Sequence, residues 1–187
     1  NNPGSKQFIG KLQPNLSAYI YSTIFGRSSS LPNLSPTAFL VDRCENVYVS
    51  GWGGGINVSR GYSSSGTINM PEVSPLPGIP AEDESDFYFF VLEKNAATQL
   101  FGSHFGHNGG TIGDHVDGGT SRFDANGIIY QAVCGCRDGG GPFPTTGNAW
   151  RPNNGSTSCN QAVIKVEMNF TGIAATQFNL KSRIILI

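Results

Sequence analysis

An internal repeat with a spacing of 80 residues constrains the fold of this 187-residue chain more than any other feature of its sequence. The stretch from Phe8 to Gly26 recurs from Tyr88 to Gly106, and a third copy starts near residue 162. A fixed period of this kind indicates stacked, equivalent structural units. Four pairs of positions align without a gap: Leu12 with Leu92, Asn15 with Asn95, Phe25 with Phe105, and Gly26 with Gly106.

A second recurring piece lies between these starts, at residues 39–51 and again at 121–132. The run 124–127 supplies residues that tolerate positive φ between two β-rich segments, and the run 42–46 is its looser counterpart, so both pieces predict β-hairpins. Together with the hairpin that opens each repeat, one unit offers about four strands, which is the content of one propeller blade. The sequence therefore predicts an all-β chain of propeller-type repeat blades.

The predicted domain organisation follows from these units. Residues 1–176 contain repeat starts near 8, 88 and 162, hence about two full units and the start of a third, and residues 177–187 are either a closing strand or a linker. A ring needs about four to eight blades, so we expect a segment of a larger propeller whose other blades cover its open edges. Turn-rich stretches lengthen each unit beyond the roughly 40 to 50 residues of a compact blade, and we expect these insertions on one rim.

Composition and charge exclude two classes of partner. The net charge is −1 with scattered basic and acidic residues, which gives no electrostatic footprint for nucleic acid. No stretch approaches the roughly 20 apolar residues that span a bilayer, so we predict a chain that does not cross a membrane. The 25 glycines and 11 prolines suit short strands joined by many turns rather than long helices.

Three stretches resemble the seven-bladed propeller repeats of bacterial surface proteins, namely 11–26, 42–51 and 143–150. More closely, residues 86–95 together with 113–124 resemble the propeller region of very large, gliding-motility-associated surface proteins. In that family such regions precede PKD-type immunoglobulin-like modules and a C-terminal signal for type IX secretion, and neither lies within these 187 residues. The resemblance implies an extracellular location on the bacterial cell surface, with the remaining blades and modules of the same parent protein as partners. It implies no catalytic activity.

The chain has four cysteines, Cys44, Cys134, Cys136 and Cys159. An even number in a Ser- and Asn-rich chain favours an oxidising compartment, although some could be small buried apolar residues. We expect a disulfide from either Cys134 or Cys136 to Cys159, because it would pin the loop between them. Cys44 has no obvious partner and could join the remaining cysteine only if the loops bring the two together.

The densest polar cluster in the sequence is set among glycines. Its imidazole and carboxylate groups could bind zinc or another transition metal, with Asp114, His115 and Asp117 as candidate ligands, and the two aspartates could give oxygens to calcium. Neither the spacing of the two histidines 104 and 107 nor that of the two aspartates 114 and 117 matches a known metal-binding motif. The interpretation that we favour is that these side chains bond backbone groups where the chain enters an inner strand, so we expect no cofactor beyond the calcium option. The full cluster is His104, His107, Asp114, His115 and Asp117.

Four aromatic residues in or beside Gly-rich loops are candidate binding residues: Trp52, Tyr62, Phe143 and Trp150. They could stack on sugar rings or anchor a protein partner. The alternative, which we favour, is that they fill gaps between blades.

No assembled catalytic groups are visible in the sequence. The Gly-x-Ser-x-Gly motif is absent, and Cys134-Gly-Cys136 is one residue short of a Cys-x-x-Cys redox motif. We therefore predict a non-enzymatic cell-surface scaffold or adhesion module that recognises surface glycans or other surface proteins through rim loops. The alternative is a carbohydrate-binding module that uses the loop aromatics. A metal-dependent hydrolase comes third, since only the His/Asp cluster favours it.

Overall fold

The computed structural model describes residues 2–79, 82–109, 112–117, 121–137 and 139–168, and the backbone of 183–186. The described residues form ten β-strands and two short 3-10 helices, Gly55–Arg60 and Lys94–Ala96, so the prediction of an all-β chain is confirmed. No helix in this described part is long and apolar enough to cross a membrane. The strands are β1 (Gln7–Leu12), β2 (Tyr19–Phe25), β3 (Ser35–Val41), β4 (Val47–Trp52), β5 (Phe87–Leu92), β6 (Gln99–Phe105), β7 (Ser121–Phe123), β8 (Ile128–Cys136), β9 (Cys159–Glu167) and β10 (Arg183–Leu186).

The strands form three antiparallel sheets. The hairpin sheet contains β1 and β2, the middle sheet β3 to β6, and the end sheet β7 to β10, with the strands of each sheet side by side in chain order. In the end sheet, β10 lies at the edge and pairs with β9, placing Arg183 opposite Lys165. This edge strand lies within residues 177–187, which the sequence allowed to be either a closing strand or a linker.

The sequence repeat is also a repeat of strand register. β1 and β2 pair with Gln7 opposite Phe25, and β5 and β6 pair with Phe87 opposite Phe105, which is the same register 80 residues later. Both ladders contain an irregularity at the same place, immediately before the last residue of β1 and of β5. The two segments therefore fold into equivalent hairpins.

The four strands of one sheet come from two successive repeat units. The middle sheet joins the second hairpin of the first unit, β3 and β4, to the first hairpin of the second unit, β5 and β6. The end sheet is built in the same way from β7 and β8 followed by β9 and β10. The boundaries of the sequence repeat therefore fall in the middle of a sheet. In each four-stranded sheet, the first two strands come from one repeat unit and the last two come from the next.

The middle sheet is covered on both faces, which explains its continuous apolar strands. All six residues of β4 and of β5 are buried, whereas β1 and β9 alternate between more and less exposed positions, as expected for strands covered on one face. One face of the middle sheet packs against the end sheet, and the other face packs against the hairpin sheet. Each large apolar side chain buried in these layers contributes about 1.5 to 3 kcal/mol.

The contact between the middle and end sheets is mainly aromatic on the middle-sheet side and mainly aliphatic on the end-sheet side. Phe87, Phe89 and Phe105 of the middle sheet belong to the same buried cluster as Ile129 and Ile164 of the end sheet. Gln131 of the end sheet makes polar contacts across this interface: its Oε1 accepts from the Ser50 hydroxyl at 3.0 Å, and its Nε2 donates to Thr37 Oγ1 at 3.4 Å. Within the described residues the three sheets form an open stack rather than a closed ring.

Candidate functional site

The long connections between strands meet at one end of the stack, which we call the loop rim. It consists of the described residues of the connections 26–34, 53–86, 106–120 and 137–158. Antiparallel meanders place these connections at one end and the short turns at the other. Hydrogen bonds join neighbouring connections along the rim: Asn33 Nδ2 donates to Gly66 O, Gly109 N to Asp83 Oδ2, and Gly141 N to Asn108 O.

The opposite end carries tight turns joined by an ion-pair bridge. Glu45 accepts from the ammonium groups of Lys11 and Lys94, the latter at 2.6 Å, so one carboxylate connects the hairpin sheet with two turns of the middle sheet. The hydrogen bonds from Lys11 and then Lys94 lower the pKa of Glu45 to about 2. Ion pairs therefore hold the short turns together at this end, opposite the long connections of the loop rim.

Asp114 lies fully buried at the rim, where its side chain fastens the connection 106–120 to strand β8. Its Oδ2 accepts from the backbone N–H of His107 at 2.7 Å and from His107 Nδ1 at 3.0 Å, and its Oδ1 accepts from the backbone N–H of Cys136 at 2.7 Å. Asn33 makes the equivalent bond one repeat earlier, accepting from the N–H of Arg27 at 3.1 Å. Asp114 is thus a partner of turn backbone.

The charge of Asp114 acts on the imidazole beside it. Burial on its own lowers the pKa of His107, but the hydrogen bond and the negative charge of Asp114 outweigh burial and raise the pKa of His107 above its ordinary value. Burial raises the pKa of Asp114, and the donors from His107 and Cys136 oppose that rise. The pair is a buried structural clamp, in which Asp114 accepts from three N–H donors.

A second buried carboxyl, Asp86, stands next to this clamp. Burial raises the pKa of Asp86 to about 9, and the neighbouring charge of Asp83 adds to the shift. Gly106 makes the close approach of the two carboxyls to the chain sterically feasible, because a Cβ there would lie 2.2 Å from Asp86 Oδ1 and 2.8 Å from Asp114 Oδ2. Sequence reasoning missed Asp86 as a site residue, since an acid before an apolar run carries no signal of its own.

His104 does not join the other histidines. It points to the opposite face of β6, where Nδ1 lies 3.0 Å from Glu72 Oε1 and Nε2 lies 3.0 Å from Glu82 Oε2. Nε2 also lies 2.7 Å from the carbonyl oxygen of Thr67. This buried imidazole therefore fastens the long connection 53–86 to the middle sheet, a role that requires partners more than twenty residues away along the chain.

His115, Asp117 and Cys134 come together at the edge of the end sheet. An isolated antiparallel bridge joins the backbone of His115 to that of Cys134. One ligand atom from each of the three side chains lies within 4.8 Å of the others. Two of the three sequence candidates for a metal site are thus neighbours, whereas the third, Asp114, turns inward to His107. Cys134 was missed as their companion because it lies on β8, whereas His115 and Asp117 lie in the connection before β7.

The four aromatic candidates separate into buried and accessible residues. Trp52 and Phe143 are each 3% exposed and belong to the core between the middle and end sheets, so neither ring face is available to a ligand. Tyr62 is half-buried, and Trp150 is 69% exposed. The guanidinium of Arg151 lies 5.4 Å from the centre of a Trp150 ring. Trp150 is the aromatic candidate that keeps an open face at the rim.

One disulfide closes the base of the longest loop of the end sheet. Cys136 and Cys159 are bonded, which decides between the two partners that the sequence allowed for Cys159. Cys44, on a turn at the opposite end, and Cys134 are both free thiols, so the pairing considered for them is not formed. Burial, followed by the charge of Asp117, raises the pKa of Cys134.

Comparisons with known proteins return no match: no protein-family model, no curated protein and no solved structure matches this chain.

Proposed function

We propose that this chain is a segment of a non-enzymatic, propeller-type scaffold on the bacterial cell surface, which recognises its partners through the loop rim. The proposal rests on one observation: the two outer faces of the stack correspond, in the sequence repeat, to the two covered faces of the middle sheet. Among the residues that the structure describes, the exposed face at each end of the stack repeats a face that is covered inside it.

The uncovered face of the hairpin sheet corresponds to a covered face of the middle sheet. Phe8 and Leu12 occupy the repeat positions of Tyr88 and Leu92, and both of the latter are buried under the hairpin sheet. Phe8 is 64% exposed and Leu12 is 42% exposed. Apolar faces of this kind mark surfaces that are covered in an assembled molecule.

The outer face of the end sheet corresponds to a covered face at the other side of the middle sheet. Counted from the equivalent turns at Asp42 and Asp124, Tyr130 occupies the position of Tyr48. Tyr48 is fully buried between the middle and end sheets, whereas Tyr130 is 43% exposed. A further sheet placed against Tyr130 would repeat the contact that Tyr48 already makes.

Each sheet therefore uses one face to receive the preceding layer and the opposite face to receive the next. Contacts between two different faces can be repeated from unit to unit in both directions. They form a closed ring when the rotations between successive units add up to a full turn. Propeller blades stack in this way. The resemblance to repeats of bacterial surface proteins supplies the location, and the Cys136–Cys159 bond fits an oxidising compartment.

The assembly is tested by the intact mass of the protein from its native source, measured with and without reductant. We expect a mass far above the 19.9 kDa of these residues, because further repeat units cover Phe8 and Tyr130. A monomer near 19.9 kDa would contradict the proposal, since both faces would then stay open in the working protein.

Recognition is tested by changing the rim without changing the stack. Residues 145–157 lie beyond the buried Phe143 and before the disulfide, so a short Gly/Ser linker can replace them while both anchors remain. We expect beads coated with this variant to lose attachment to cells of the source bacterium. The matched control replaces the turn 13–18 at the opposite end, and equal loss in both variants would overturn the assignment of recognition to the rim.

A second candidate function, carbohydrate binding, is favoured by Trp150. Its open ring face is suited to stacking on a sugar, and Arg151 beside it offers donors to sugar hydroxyls. Saturable binding on a glycan panel that is lost in Trp150→Ala but kept in Val58→Ala, an exposed apolar control, supports this function. No binding across the panel removes it and leaves protein partners for the rim.

A further inference from the structure

The polar cluster at the edge of the end sheet has the donor set and the spacing of a metal site. We propose that His115, Asp117 and Cys134 bind one Zn²⁺ where the segment 112–117 meets β8. The site does not depend on the scaffold proposal, because all three ligands lie within the described chain: His115 and Asp117 in the segment 112–117, and Cys134 on β8.

Two of the three distances among the donor atoms are close to those of a tetrahedral zinc centre. His115 Nε2 lies 3.1 Å from Asp117 Oδ2, and Cys134 Sγ lies 3.8 Å from the same oxygen. Zinc bonds of about 2.0 Å to nitrogen and oxygen and about 2.3 Å to sulfur, at tetrahedral angles, separate N and O by about 3.3 Å and S and O by about 3.5 Å. These two separations therefore differ from those of a tetrahedral zinc centre by a few tenths of an ångström, and the third, between His115 Nε2 and Cys134 Sγ, lies within 4.8 Å.

The ring of His115 is already oriented as a ligand. Its Nδ1 lies 2.7 Å from the carbonyl oxygen of Gly113, so Nδ1–H is donated to the backbone and Nε2 faces the carboxylate. Metal-binding histidines commonly donate their second ring nitrogen to a backbone carbonyl in this manner, which fixes the tautomer. Trp52 packs against the imidazole with ring centres 5.8 Å apart and limits its rotation.

The donor chemistry selects zinc over calcium. Thiolate and imidazole are soft or borderline ligands that suit zinc, whereas calcium takes six to eight oxygen ligands. Binding replaces the Cys134 thiol proton with a zinc–sulfur bond and releases that proton to solvent, with no change of oxidation state. Asp117 is 64% exposed, so the fourth position is open to water, and the metal would clamp the segment 112–117 to β8.

Cobalt(II) is the probe that tests the site, because a cobalt–thiolate bond produces a charge-transfer absorption that reports the sulfur ligand directly. The titration uses the full chain with the Cys136–Cys159 disulfide intact, without reductant and without oxygen. Zinc is then added to displace the cobalt. Cys134→Ser removes the sulfur ligand, Asp117→Asn changes an exposed ligand with little risk to folding, and Cys44→Ser removes the other free thiol as the matched control.

We expect one cobalt per chain with a thiolate band that zinc abolishes, no band in Cys134→Ser, weaker binding in Asp117→Asn, and an unchanged band in Cys44→Ser. Zinc should also protect one of the two free thiols from alkylation. Absence of the band in the native chain, its survival in Cys134→Ser, or its loss in Cys44→Ser would each overturn the site. If Cys134→Ser fails to fold by circular dichroism, unchanged affinity in Asp117→Asn overturns it instead.

Discussion

Asp42 and Asp124 close equivalent turns in successive repeat units. Asp42 Oδ1 accepts from the second and fourth backbone N–H groups that follow it, each at 2.8 Å, and Asp124 Oδ1 does the same at 2.8 and 3.1 Å. In both turns the third residue after the aspartate has positive φ, 65° at Glu45 and 76° at Gly127. The repeat therefore extends to individual hydrogen bonds.

The two aspartates differ in what they support beyond the turn, which predicts unequal mutational costs. Asp42 is buried and also accepts from Asn46 Nδ2 and from the hydroxyl of Tyr48. We expect Asp42→Ala to lower the free energy of unfolding by about 3 kcal/mol and Asp124→Ala by about 1 kcal/mol, because a buried acceptor with four donors leaves more groups unsatisfied. Urea denaturation measures both, and equal losses would contradict the assigned partners.

Gly127 is predicted to tolerate no side chain. Its φ is positive, and a Cβ there would lie 2.7 Å from both Met168 O and Tyr48 Cε1. Gly61 has a similar φ of 86° with no atom near the position of a Cβ. We expect Gly61→Ala to cost about 1 kcal/mol for backbone strain and Gly127→Ala about 3 kcal/mol for strain and overlap. Both variants carry the backbone strain, so the difference between their thermal midpoints measures the cost of the steric overlap alone. Equal midpoints would show that the overlap costs nothing.

The raised pKa of Asp86 predicts that stability falls as pH rises. The folded chain keeps the Asp86 proton up to about pH 9, whereas the unfolded chain releases it near pH 3.8. The folded state thus binds more protons across this window, so the contribution is fully present below about pH 4 and is lost progressively toward pH 9. We expect Asp86→Asn to flatten this decline and to be more stable than the native chain at about pH 8.

Urea midpoints of both proteins at about pH 5 and about pH 8 measure this effect. Asp124→Asn, a change to a less buried aspartate in a turn, serves as the control for introducing an amide. Parallel pH profiles for Asp86→Asn and the native chain would show that Asp86 is ionised in the folded state.

The Cys136–Cys159 bond is predicted to stabilise the end sheet. The two cysteines are 23 positions apart, and closing a loop of this size removes conformational entropy from the unfolded chain worth about 3 kcal/mol. We expect the double variant Cys136→Ser/Cys159→Ser to lose about that amount in chemical denaturation, and Cys44→Ser to lose almost none, because Cys44 is exposed and unbonded. Equal stability of the double variant and the native chain would refute the prediction.

The strand pattern was predictable because it depends on local chemistry. Residues 39–51 and 121–132 predicted hairpins, and β3–β4 and β7–β8 are hairpins at those places. Asp, Asn and Gly at fixed offsets satisfy the backbone of a tight turn without help from distant residues. The spacing of 80 residues likewise predicted equivalent hairpins, and the register of β1–β2 and β5–β6 is the same.

The composition of the site was not predictable to the same degree. Trp52 and Trp150 both stand beside glycine-rich loops in the sequence, yet one fills the core and the other is open to solvent. Sequence spacing grouped Asp114 with His115 and Asp117, whereas the fold turns Asp114 toward His107 and brings Cys134 in its place. Adjacent residues in an extended segment point to opposite sides, so nearness along the chain does not decide which side chains meet.

The sequence by itself determined that this chain is all-β, where its turns fall and which segments repeat, because backbone conformation responds to glycine, asparagine and aspartate over a few residues. Only the tertiary structure decided that Cys136 rather than Cys134 bonds to Cys159, that a sheet takes its strands from two units, and that Phe8 and Tyr130 are exposed. The physical reason is that pairing and burial depend on which surfaces come together in three dimensions, and strands far apart in the chain supply those surfaces.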